Sequence, residues 1–177
     1  MQSNTEKRQL EHQAAKQFLR LYEQKTGQVM RHIWHNQPAK PDVSCYINQQ
    51  RLDLEIAHLY GSEVEAMHIL GRDLDDSTRQ ELISLLSTPA ELRLFTALNR
   101  LLKNKAGKYY DTARVWLVIR NLNPLWSTTD ILQLCPKLDI ALTQPFEQIW
   151  LITDQTATAD IIALYPAKLA RQEHNRC

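Results

Sequence analysis

The sequence predicts a single α/β domain, a central mixed β-sheet flanked by helices, and three observations predict it. Amphipathic stretches of helical period alternate with short apolar runs of strand character. A strictly alternating pair of segments between Asp42 and Ala57 reads as a hairpin. The chain has 177 residues with 44% hydrophobic side chains, enough to bury one substantial core and too little for several.

The elements follow in order. From about Thr5 to Lys25, Leu10, Ala14, Phe18 and Tyr22 recur at helical spacing with Ala15, Leu19 and Leu21 beside them, and Gly27 supplies a stop. Val29 to Trp34 reads as a short strand, followed by a loop with Pro38 and Pro41. In Asp42 to Ile47, Val43, Cys45 and Ile47 point one way and Asp42, Ser44 and Tyr46 the other. After Asn48-Gln49 the alternation resumes, with Leu52, Leu54 and Ile56 on one face and Arg51, Asp53, Glu55 and Ala57 on the other.

Residues 61–87 read as a helical insertion whose helix starts at Asp76 or Ser77 and presents Leu82, Leu85 and Leu86. Ser87 or Thr88 with Pro89 opens another helix, and Leu94, Phe95, Leu98, Leu101, Leu102 and Lys105 form its inner stripe up to Gly107. Ala113 to Ile119 and Gln148 to Thr153 are nearly continuous apolar runs, expected to be strands buried on both faces. Ser127 to Leu134 lies between them as a helix, and a C-terminal helix is expected near Ala159 to Ala170, within a tail spanning 159–177.

Composition narrows the function classes. The apolar runs are too short to cross a bilayer, and Met1-Gln2-Ser3-Asn4 has no signal-peptide pattern, so the expectation is a cytoplasmic protein without membrane association. Cys45, Cys135 and Cys177 are scattered and odd in number, which argues against a disulfide framework. His32 and His35 are the nearest approach to a zinc motif and have no second ligand pair. Gly27, Gly61, Gly71 and Gly107 are isolated, which disfavours nucleotide-cofactor enzymes. Trp116 and Trp150 fall in hydrophobic runs and are better explained by core packing than by base stacking. Net charge is +1, yet Arg93, Arg100, Lys103, Lys105, Lys108, Arg114 and Arg120 face Asp111 alone between residues 92 and 120.

The hairpin carries the chemistry. If Asn48-Gln49 is a two-residue turn, Ile47 pairs with Gln50 and the same register sets Asp42 opposite Glu55. Directly opposed side chains have Cβ atoms roughly 4.5–5.5 Å apart, where like charges are destabilising. A divalent cation removes that repulsion, and magnesium asks for one or two carboxylates plus water and phosphate. The plain alternative is a solvated acidic face of an ordinary antiparallel hairpin.

With these residues in place, the chain resembles the PD-(D/E)XK nuclease superfamily, whose core has a helix bearing a Glu, a strand beginning Pro-Asp and a next strand carrying Glu-x-Lys. The matching residues are Pro41-Asp42 and Glu55-Ile56-Ala57. The resemblance runs from about Glu11 to Thr153 and takes in the helix Leu94 to Tyr109, with Lys105 and Lys108-Tyr109. It implies a restriction-endonuclease-like core, Mg²⁺ or Mn²⁺ as cofactor, DNA as the partner hydrolysed, and metal ligation by Asp42 and Glu55. Glu11 is the assisting carboxylate, with Glu23 the alternative, and Asp53 is either a further ligand or an exposed hairpin acid. Homodimerisation is left open.

The chain departs from the family at Ala57, which stands where the lysine is expected. Lys105 is the first candidate to replace it, because it continues an apolar stripe where an ammonium needs a carboxylate or phosphate; snorkelling at the helix end is the competing account. Lys108 and Lys40 are weaker candidates, and Lys40, Lys105 and Lys108 are the expected nucleic-acid contacts. His58 reads as a packed or edge histidine. The missing lysine also supports a second reading, a nuclease-like nucleic-acid-binding or protein-interaction module without catalysis.

Overall fold

The structure, a computed structural model, describes residues 4–36, 41–153 and 158–166. Within them lie helix α1 (Asn4–Thr26), strands β1 (Met30–His35), β2 (Val43–Ile47) and β3 (Gln50–Leu59), and helices α2 (Glu63–Ile69), α3 (Asp76–Leu86) and α4 (Ala90–Ala106). Strand β4 (Val115–Asn121), helix α5 (Thr128–Leu134) with a 3₁₀ turn (Cys135–Lys137), and strands β5 (Gln148–Ile152) and β6 (Ile161–Tyr165) follow. The fold is α/β, built on a six-stranded mixed open sheet in the order β1-β2-β3-β4-β5-β6. Neighbours β3, β4 and β5 are parallel, and the pairings β1-β2, β2-β3 and β5-β6 are antiparallel.

Parallel neighbours need crossovers, and here both pass over one face, where Leu94, Leu98 and Leu102 of α4 and Ile131 of α5 pack on Leu117, Ile119 and Leu151. Helix α1 covers the opposite face with Ala14, Phe18 and Tyr22 against Leu54, Trp116, Val118 and Trp150. The tilted and edge-on rings of Phe18, Tyr22, Trp116 and Trp150 lie 5.4–6.4 Å apart, so both tryptophans serve the core.

The hairpin has the expected register, from Ile47↔Gln50 to Val43↔Leu54. Asn48 and Gln49 both take positive φ, 49° and 65°, which is the twist a two-residue hairpin turn needs. The local caps differ in detail from expectation. Asp75 caps α3 by accepting from Thr78 N at 2.7 Å, one residue before Asp76. Ser127 and Asp130 close a reciprocal capping box on α5. Pro89 stands at the N-cap of α4 instead of inside its first turn.

Two expectations are overturned. Residues 161–165 form strand β6 instead of helix, because Ile161, Ile162, Ala163 and Leu164 are all buried and pair with β5, and a continuous apolar run carries no period to tell the two apart. The rest of the expected helix, residues 167–170, lies outside the described residues. The second is the alternative of a solvated acidic face: Ser44, Asp53 and Glu55 are buried, since β3 sits between β2 and β4 with helices on either side, and only Tyr46 and Arg51 near the turn are exposed.

Candidate metal centre

The ladder between β2 and β3 stops at Val43↔Leu54, one step short of Asp42 and Glu55. There Asp42 turns its side chain to the free strand and its Oδ2 accepts from Ile56 N at 3.0 Å. Glu55, only 1% exposed, lies on the α4 face with Ala57. Lys105, from the last turn of α4, donates from Nζ to Glu55 Oε1 at 2.6 Å. The second oxygen, Glu55 Oε2, and the Tyr110 hydroxyl are both buried, and the phenol lies within reach of Glu55 as a hydrogen-bond donor.

Electrostatics join these groups. Burial first, then the charge of Glu55, pushes the Asp42 carboxyl up to about 6, with Glu11 adding to the rise and Ile56 N–H and Lys105 opposing it. The Tyr110 phenol is raised by burial and then by the Glu55 and Asp42 carboxylates, which places its ring against the acid pair. One ammonium therefore answers two carboxylates. That excess of negative charge fits a bound cation, which Glu55 and Asp42 would hold and which would remove the repulsion between them. Among the described residues no three His, Cys, Asp or Glu side chains converge as a ligand cluster, so water and substrate oxygens would complete the shell, as magnesium prefers.

Glu11 is buried in α1, paired with Lys7 at 3.5 Å, and close enough for Asp42 to feel its charge. Glu23 is not brought there: it lies about 18 Å further along the helix axis and pairs with Arg31 at 2.8 Å. Asp53 is neither exposed nor available as a ligand. It is 2% exposed and accepts from Ser44 Oγ at 2.5 Å, Thr112 Oγ1 at 2.6 Å and Arg51 Nε at 2.9 Å. Burial alone would raise its pKa, but these hydrogen bonds outweigh it and the carboxyl is held below the ordinary range.

Lys105 and Lys108 line a cleft of about 460 Å³ together with Lys7, Glu11, Ala57, His58 and Arg100. Lys40 lies outside the described residues. His58, half-buried, is held down at about 4 by burial and then by Arg120, so it is neutral at physiological pH. His32 packs edge-on to Tyr46, whereas His35 stacks on His12 with ring centroids 5.4 Å apart, so the two histidines of the sequence motif serve different neighbours. A larger cavity, about 680 Å³, lies on another flank of α4 between Phe95, Ile140 and Phe146; of Asp42, Glu55 and Glu11, only Glu11 lines the smaller cleft and none lines the larger one.

Sequence reasoning missed Tyr110 and Thr112. Both lie in the irregular segment before β4, where no periodicity marks an inward residue, and the neighbouring Tyr109 is 86% exposed. His35 stands out in the sequence only by its spacing to His32; burial, then the charges of His12 and Arg8, hold its pKa below the ordinary value against the pull of Asp42, and that neighbourhood depends on β1 pairing with β2.

The chain matches no protein-family model, no curated protein and no solved structure.

Proposed function

We propose that this chain is a divalent-metal-dependent nuclease that hydrolyses DNA phosphodiesters, with a restriction-endonuclease-like core of the PD-(D/E)XK kind. The observation that carries the reading is the 2.6 Å contact between Lys105 Nζ and Glu55 Oε1, beside Asp42. An ammonium arrives from α4 at the carboxylate whose own strand offers only Ala57. The order helix, strand, hairpin, helix, strand supports it too, since α1, β1, β2, β3, α4 and β4 come in that order, with α2 and α3 inserted before α4 in the crossover between parallel strands β3 and β4.

Asp42 and Glu55 would hold Mg²⁺ or Mn²⁺. When bound, such an ion polarises a phosphoryl oxygen and lowers the pKa of a coordinated water. Lys105 limits the negative charge of the acid pair and offers its remaining ammonium hydrogens to the attacking water or to a phosphate oxygen. Glu11, buried on α1 near Asp42, is a third carboxylate and would take the attacking water's proton. Tyr110, within hydrogen-bond reach of Glu55, would hold that carboxylate in place.

The direct test is cleavage of plasmid and single-stranded DNA with Mg²⁺ or Mn²⁺, with Asp42→Ala and Glu55→Ala as controls. Loss of cleavage in both is expected, and activity surviving both substitutions sinks the reading. One observation favours the second reading, a binding module without catalysis: the chain's own Lys105 ammonium already neutralises Glu55. DNA binding that is retained while no metal binds would select it.

A further inference from the structure

Beside its core stripe, helix α4 has a flank that faces a hollow. Phe95, Asn99, Leu102 and Ala106 recur at i, i+4, i+7 and i+11, so they share one side of the helix, and all four line the cavity of about 680 Å³. The opposite wall is drawn from residues 139–144, in the irregular stretch between the 3₁₀ turn and β5. Phe146 and Ile149, both buried, complete the lining.

Apolar side chains close up on one another unless something holds them apart. Here side-chain amides pin the irregular segment in place. Asp139 N donates to Asn99 Oδ1 at 3.1 Å, and Gln144 closes on Phe146, accepting from its N at 2.7 Å and donating to its O at 2.8 Å. Phe146 is fixed in turn against Tyr110, with ring centroids 5.3 Å apart. Phe95 and Ile140 therefore stay only partly buried, although both pack against the core. Ala106 and Ala141 leave room where larger side chains would fill it.

The charges at the cavity are few. Arg100, Lys103 and Asp139 line it, and of these Arg100 already donates to Gly61 O. The Lys103 side chain makes no hydrogen bond or ion pair among the described residues. It is exposed, whereas the apolar lining at Leu102, Phe146 and Ile149 is buried, so the cavity has an apolar depth and a cationic rim.

We propose that this cavity binds a hydrophobic monocarboxylate, its hydrocarbon body against Phe95, Leu102, Ile140 and Phe146 and its carboxylate on Lys103. The inference goes beyond the nuclease reading and does not rest on it, since neither Asp42 nor Glu55 lines this cavity. Size fits: small-molecule pockets run from about 300 to 1,000 Å³ and are mostly apolar with a few placed polar groups. Charge selects the head. Two cations against one acid favour a single negative charge and oppose an ammonium, while Asp139 opposes a second carboxylate.

The test titrates the full chain with octanoate, octanol and octylamine, which share one body and differ in the head. Binding is read from the NMR methyl signals of Ala106, Ala141 and Ile149. Octanoate is expected to bind about tenfold tighter than octanol, a difference of about 1.4 kcal/mol, with octylamine weakest. Lys103→Met should lower octanoate affinity about tenfold and leave octanol within about twofold. Ala106→Leu, a change that suits a helix, should fill the cavity and remove binding of all three. Equal affinity for the three heads, binding that survives Ala106→Leu, or no response to any of them overturns the inference. So does a dimer that forms through Leu142, 89% exposed between the lining residues Ala141 and Thr143, and excludes all three ligands.

Discussion

Lys105 Nζ stands 2.6 Å from Glu55 Oε1, so the cation of the acidic site comes from helix α4 and not from strand β3. Glu55 is almost fully buried, and removing its partner leaves an unpaired charge in the interior. Lys105→Ala is expected to cost about 3 kcal/mol of stability in urea unfolding. The same substitution should lower metal-dependent cleavage about 10²–10³-fold. Ala57→Lys in that background places an ammonium two residues from Glu55 on the same strand face, and should recover most of the stability. If the double variant is no more stable than Lys105→Ala, position 57 does not look into the site.

Asp42 gives the site a pH signature. Its folded pKa, about 6, lies above its unfolded value, so its contribution to stability is fully present below the unfolded value and is lost as pH rises through 6. Thermal unfolding without metal should therefore show a fall in Tm between pH 4 and 6.5 that Asp42→Asn removes. Mn²⁺ binds the deprotonated acid, so its stabilising effect should grow over the same interval. A Tm shift by Mn²⁺ that is equal at pH 4.5 and pH 7.5 would contradict ligation by Asp42.

Much of this was legible in the residues. Alternation and the Asn48-Gln49 turn give the hairpin register, and Lys105 stands out as an ammonium on an apolar stripe. What period alone does not reveal is depth. Asp53 and Glu55 sit on a face that alternation marks as polar, and only the packing of α4 and β4 against β3 makes it interior. The same blindness applies to residues 161–165, where an unbroken apolar run suits a helix or a strand equally, and to Tyr110, which has no regular element to set its direction.

Asp53 lies two residues before Glu55 on the same strand face, and its job is different. Ser44, Arg51 and Thr112 fill its oxygens, tying β2 and β3 to the segment that precedes β4. Asp53→Ala strands those donors and should cost about 3 kcal/mol, read as a lower urea midpoint. Its depressed pKa means that its contribution is present above the unfolded value and is lost as pH falls below about 4. Cleavage per folded molecule should stay within about threefold of wild type, since each 1.36 kcal/mol in the barrier is tenfold in rate and Asp53 touches no reacting group. A loss as deep as that of Asp42→Ala would make Asp53 a ligand.

Gly61, at the turn into α2, is held by two constraints at once. Its φ of +109° is a conformation that side chains resist, and a Cβ there would collide with the Glu65 carboxylate and press on Trp126. Glu65 has little room to retreat, because Arg93 and Asn123 hold its Oε1 in a buried network. Gly61→Ala should therefore break the Glu65–Arg93 pair and cost about 3–5 kcal/mol. Arg93→Ala removes the same pair without touching the turn, and the double variant separates the two effects. If the loss acts through the ion pair, Gly61→Ala in the Arg93→Ala background should cost less than about 2 kcal/mol, the remainder being backbone strain. Additive losses measured by urea unfolding would locate the whole effect in the backbone of the turn.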